Sequence, residues 1–254
     1  MKTSARNKEV IIAAIFIVLA WLAVPLGAQE TVETYLKKGN EMLKVGNFNQ
    51  AIADFTQAIK LDPKNIKAYN GRGVAYELNG KLDPAIQDFT TAIKINPQDA
   101  ATYMNRGIAY RKKGLFDEAI ADFNKVLQLD PNMVDAYQNR GLAYQGKREY
   151  GKAIADFNRA IEIKTDNAGA YVNRGLAYGN QGEIEQAIAD FTKAIEIDPN
   201  IASAYQYRAI AYFGLGRFGQ AWADVRKAKA LGAQLDPDFV EKLRRATEGA
   251  LEEK

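Results

Sequence analysis

Residues 100–133 read AATYMNRGIAYRKKGLFDEAIADFNKVLQLDPNM, and this stretch decides the fold. Tyr103, Gly107 and Tyr110 stand four and three residues apart, which puts them on one helical stripe. Gly114 then ends the helix where a left-handed residue is wanted. Ala119 and Phe123 begin a second stripe, and Asp130-Pro131 stops it, because proline cannot continue a helix. Small Gly107 and Ala119 allow two backbones to approach closely. Phe and Tyr fill the space that opens away from that crossing.

The same stretch recurs along the chain. Ala119-Ile120-Ala121-Asp122-Phe123 returns as 51–55, 153–157 and 187–191, and as 85–89 with Gln87 as its only change. Asn105-Arg106-Gly107-Ile108-Ala109-Tyr110 has close copies at 139–144 and 173–178. The step is 34 residues each time, and a fixed period of that size marks a stacked repeat architecture. Six units tile the chain: 32–65, 66–99, 100–133, 134–167, 168–201 and 202–235. The first helix of each carries Tyr at its fourth position, from Tyr35 to Tyr205.

The pattern resembles the tetratricopeptide repeat, a helix–turn–helix unit of this length. The matching residues are Gly39, Gly73, Gly107, Gly141, Gly175 and Ala209, the tyrosines Tyr76 to Tyr212, the alanines Ala51 to Ala221, Phe55 to Phe191, and the closing prolines. The resemblance implies an all-α fold, a right-handed superhelical solenoid in which each unit touches only its neighbours. It also implies that the first helices line a concave face that binds peptides or extended protein segments. Unit four departs from the pattern, with Arg148 where Gly is expected, Gly146 two residues early and Thr165 for the closing Pro. Unit six has Ala209 for Gly, Val225 for Phe and Ala233 for Pro. A degenerate last unit is followed by 236–254, read as a capping helix behind Asp236-Pro237, with Phe239, Val240, Leu243, Ala246 and Leu251 on its apolar stripe.

Residues 1–28 are a different kind of sequence. Lys2, Arg6 and Lys8 precede the apolar run Val10–Val24, which Pro25 and Gly27 break. A basic start, an apolar core and a small-residue exit are the layout of a secretory signal, with the expected cut after Ala28. The run is shorter than the roughly 20 residues of a comfortable span. Leu26, large for its place, leaves an uncleaved membrane anchor through residues 10–26 as the alternative. Either way the repeats are expected outside the cytoplasm, periplasmic or secreted after cleavage, or held at the membrane by the anchor. Without residues 1–28 the net charge falls from +3 to +1. Such a balance gives no case for nucleic acid as a partner.

Composition narrows the chemistry. The chain has no Cys and no His, which excludes thiolate metal sites, imidazole-ligated zinc, cysteine nucleophiles and Ser–His–Asp triads. No phosphate-cradling glycine loop is present, since the glycines fall at helix crossings and helix ends. The expectation is a protein with no catalytic residue, no cofactor and no metal, acting as a monomeric scaffold for a protein or peptide partner. The alternative is a self-associating structural protein of the cell envelope.

Two rows on the first helices compete for the binding role. Lys38, Arg72, Arg106, Arg140, Arg174 and Arg208 face Asp54, Asp88, Asp122, Asp156, Asp190 and Asp224 in matched number. This reads as a structural ladder between packed helices rather than a basic stripe for acidic ligands. Eleven of the thirteen tyrosines occupy the two repeated aromatic positions and read as core. The groove is expected from Asn70 of unit two, Met104, Asn105, Ile108 and Arg111 of unit three, and Gln138, Asn139, Leu142 and Gln145 of unit four. Asn173 and Leu176 of unit five and Tyr207 and Phe213 of unit six complete it. A carboxamide row at Asn105, Asn139 and Asn173 either holds an extended backbone, for which it has both donors and acceptor, or merely solvates the groove. The family's carboxylate-gripping subclass does not fit. Leu36 and Asn70 stand where its first lysine is needed, Gly71 interrupts the asparagine row, and Asp135 takes the other lysine's place.

Overall fold

The computed structural model describes residues 30–252, of which 249–252 by backbone alone; the proposed signal or anchor lies outside it, as does the side chain of Leu251 from the expected cap stripe. Thirteen α-helices and no strand occur among the described residues. They pair as α1 (Val32–Lys44) with α2 (Phe48–Leu61), α3 (Ile66–Leu78) with α4 (Leu82–Ile95), and α5 (Ala100–Lys113) with α6 (Phe116–Leu129). Then come α7 (Val134–Gly146) with α8 (Tyr150–Ile163), α9 (Ala168–Gln181) with α10 (Ile184–Ile197), and α11 (Ala202–Gly214) with α12 (Phe218–Ala230). The last helix, α13 (Pro237–Glu252), packs on α12. The chain is an all-α solenoid of six helix–turn–helix repeats closed by a capping helix.

One contact fixes each helix pair. A Cβ built on Gly107 would lie 2.6 Å from the Phe123 ring, and Gly39, Gly73, Gly141 and Gly175 meet Phe55, Phe89, Phe157 and Phe191 at 2.5–2.8 Å. Only a residue without a side chain lets the ring sit flush on the facing backbone. Unit six solves the same problem by exchange: Val225 replaces the ring and frees room for the Ala209 methyl, and both are buried. The alanines Ala51, Ala85, Ala119, Ala153, Ala187 and Ala221 are at most 1% exposed at the same crossing.

Packing continues from unit to unit. Phe55 and Ala58 of unit one share a buried cluster with Ala68 and Ala75 of unit two, and Phe191 and Ala194 of unit five join Ala204 and Tyr207 of unit six. Each unit therefore buries its apolar face on the next, as a solenoid requires. Contacts between successive first helices outweigh any between successive second helices, which places the first helices on the inner face of the curve. This face carries the first-helix positions expected to form the groove. Leu243 of α13 is fully buried against α12, and the Trp222 indole N–H donates to Thr247 Oγ1 at 3.0 Å.

The turns between paired helices need one left-handed residue. Gly46, Gly80, Gly114, Gly182 and Gly216 supply it with φ between 68° and 84°. In unit four Arg148 takes that conformation at φ 61°, while Gly146 is held two residues earlier because the Phe116 ring of the preceding unit lies where its side chain would be. The glycine displaced from the turn thus serves a close approach.

Candidate protein-binding groove

The arginine row is engaged inside the molecule. Arg174 grips its own unit's Asp190 with two bonds, Nε to Oδ2 at 2.8 Å and Nη2 to Oδ1 at 2.6 Å. Its third arm donates from Nη1 to Asn158 Oδ1 of the preceding unit at 2.6 Å. Arg72, Arg106, Arg140 and Arg208 repeat the arrangement with Asp88, Asp122, Asp156 and Asp224, and with Thr56, Thr90, Asn124 and Thr192 behind them. Each guanidinium thus ties three helices across two units. The aspartate bond holds these arginines above their usual pKa, with burial opposing.

One expectation changes here. Unit one does not join the ladder, because Lys38 pairs with Glu30 and Asp54 takes a bond from Gln50 Nε2 at 3.1 Å. A single ammonium lacks the fork that spans two units. The repeated tyrosines pack as expected: Tyr205 is buried, and Tyr35, Tyr76, Tyr110, Tyr137, Tyr144, Tyr171, Tyr178 and Tyr212 are partly buried against core clusters. Their rings also carry the arginines: Arg174 lies 5.3 Å from the Tyr171 ring and 5.9 Å from that of Tyr178.

The groove side chains divide into those already occupied and those left open. Asn70 is occupied, its amide donating to Asp99 Oδ2 at 3.2 Å and to Thr102 Oγ1 of unit three. Gln145 donates to the Asn173 backbone carbonyl at 3.1 Å, and Asn139 to the Asp135 carbonyl one turn back at 2.9 Å. Phe213 belongs to the capped end rather than to the open groove. It meets Phe239 edge-on at 5.7 Å and Phe218 at 5.8 Å, because α13 sits where a seventh first helix would stand. Met104, Ile108 and Leu142 are half-buried against the core, offering apolar flanks. Asn105, Gln138 and Asn173 are half-buried, and their side chains have no hydrogen-bond partner among the described residues.

Three features were not read from sequence. Gly71 interrupts the asparagine row because a Cβ there would lie 2.5 Å from the Phe55 ring. Arg111 is half-buried with no ion-pair partner, and its Nε is buried without a bond. Burial pushes its guanidinium below the usual arginine range, with only Glu77 opposing. Third, Leu176, Tyr207 and Ile210 wall an apolar pocket of about 340 Å³ between units five and six. Tyr207 lies over Phe191, ring centres 5.9 Å apart. At the other end, units one and two line a polar hollow of about 730 Å³ with Glu33, Lys37, Glu41, Lys44 and Lys67. Among the described residues there is no group of carboxylates placed to hold a metal and no helix long and apolar enough to cross a membrane.

Known proteins match this architecture. A family model described as tetratricopeptide repeat matches residues 66–99, 100–133 and 168–201. A second, described as TPR repeat, matches 39–80 and 148–182, and a third matches 191–223. A crystal structure of MamA is 32% identical, with a TM-score of 0.58, over 63% of this chain and 94% of its own. A tetratricopeptide repeat protein from Parabacteroides merdae is 21% identical with a TM-score of 0.68, over 95% of this chain and 94% of its own. YrrB, described as a TPR protein with an unusual peptide-binding site, is 22% identical with a TM-score of 0.55, over 70% of this chain and 91% of its own. The last two likenesses speak to the fold alone.

Proposed function

The chain belongs to the tetratricopeptide repeat family, and from that premise we propose that it is a non-catalytic scaffold holding an extended segment of another protein along the inner face of its first helices. One observation carries the reading. Asn105, Gln138 and Asn173 stand half-open on that face with their amides unbonded, while the five ladder arginines, Arg72, Arg106, Arg140, Arg174 and Arg208, are engaged inside the fold. A buried polar group is normally satisfied, so amides left open in a groove suit a partner's backbone N–H and C=O. A row of such groups reads an extended chain without demanding one sequence. We also propose that residues 1–28 export the protein, that it works outside the cytoplasm, and that the repeats act as a monomer.

Site-specific photo-crosslinking tests the groove. A crosslinking side chain at Asn105 or Asn173 is expected to capture partners from cell-envelope extract. The same group at exposed Lys193 on α10 is expected to capture none. Equal capture from both faces would refute the reading. Changing Asn105 and Asn173 to Ala should then weaken binding by about 1–3 kcal/mol, from about 0.5–1.5 per uncharged bond, with the melting temperature unmoved. N-terminal sequencing of the exported protein should begin at Gln29, and recovery of the intact chain from the cytoplasm would overturn export.

A further inference from the structure

The twelfth position of each first helix reaches toward the next unit's first helix. Glu77, Arg111 and Gln145 fill it with long side chains in units two to four, Gln145 bonding the Asn173 carbonyl across the gap. Phe213 fills it in unit six by packing on the cap. Unit five has Gly179, and the apolar pocket opens there. A Cβ at Gly179 would meet only Ala187 Cβ, at 3.9 Å, so nothing in the fold requires a glycine at this place. Among the described residues no side chain fills this pocket. Its wall includes Ile210, a large apolar residue 44% exposed.

The other end of the groove has the complementary requirement. Lys37, Lys44 and Lys67 have no ion-pair partner among the described residues, and neither has Arg111. Glu77, which could neutralise Arg111, is held by Lys112 at 2.8 Å. Glu33 and Glu41 offset part of this charge, and an excess of bases remains.

Resting on the groove reading above, we propose that the occupant is an extended acidic segment of another protein carrying one large apolar side chain. The apolar group seats between units five and six, and the acids lie over units one to three. With first helices about 9 Å apart and about 3.3 Å per extended residue, roughly seven residues separate Arg111 from the pocket.

A fluorescently labelled peptide tests this: a run of glutamates, a Gly-Ser spacer of about six residues, then Phe. Its controls carry Ala for Phe, or Gln for every Glu. Fluorescence polarisation should show the full peptide binding about tenfold or more tighter than either control. Gly179→Gln, which installs the residue unit four carries, should reduce the full peptide to the level of the Ala control and leave that control unchanged. Arg111→Gln should shrink the difference between the Glu and Gln peptides. Ile210→Ser, at an exposed position, gives a second route to the pocket should G179Q melt early. Equal binding of the Phe and Ala peptides, full binding by G179Q or I210S, or no binding of any peptide would overturn the proposal. If N105A/N173A weakens every peptide while G179Q and I210S change nothing, the pocket assignment falls and the groove reading stands. If all these variants bind like the parent chain, both fall.

Discussion

The first and fifth units share a fold and divide its duties differently. Both cross their helices by laying a phenylalanine on a glycine, Phe55 on Gly39 and Phe191 on Gly175. In unit five, Arg174 then locks Asp190 and reaches back to Asn158. In unit one, Lys38 reaches only Glu30. The groove differs too: lysines and glutamates line it at unit one, and Leu176, Tyr207 and Ile210 wall it beside Gly179 at the junction of units five and six. The glycine–phenylalanine crossing is common to both and suffices for the pair of helices. The ion pair adds the tie between units, and the inner face is free to take whatever chemistry a partner needs.

The largest test of this comparison is Arg174→Ala. It strands Asp190, which is 5% exposed, between helices, and removing one partner of a buried pair typically costs about 3–5 kcal/mol. Chemical denaturation should show that loss, and a change below about 1 kcal/mol would mean that the ladder is ornamental. Next come Gly39→Ala and Gly175→Ala, whose new methyls meet the facing rings at 2.8 and 2.7 Å. Each should lose about 1–3 kcal/mol, and by similar amounts, since the crossing is the feature the two units share. Unequal losses would break the comparison at its base. Unit four offers a gain: Arg148→Gly relieves a left-handed arginine and should stabilise by about 0.5–1 kcal/mol. The smallest effect belongs to Lys38→Ala, which should leave the melting temperature unmoved, because its ion pair is open to solvent.

How far the groove could be read from sequence follows from what each residue must satisfy. The repeat places Asn70, Gln145 and Phe213 at inner-face positions, and their types fit a binding role. Their actual partners are a neighbouring unit's Thr102, a backbone carbonyl of Asn173 and the cap's Phe239. None of these is visible at a spacing of three or four, because each lies on a different helix. Arg111 was visible as a groove base, while its lack of a counter-ion depends on Lys112 having captured Glu77. Gly179 carries its signal in the alignment of units with one another, as the one small residue in a column of larger ones.

The sequence by itself determined the number of units, the helix pairs, their crossings and their turns. Those features depend on local periodicity and on residue size, and a 34-residue period states both six times. Only the tertiary structure decided which polar side chains are spent within the solenoid and which remain open. Hydrogen bonds and ion pairs are claimed by whichever group lies within about 3 Å, and that neighbour belongs to another helix or another unit. The pocket beside Gly179 has the same origin, since a missing side chain becomes a cavity only when the walls around it are packed in place.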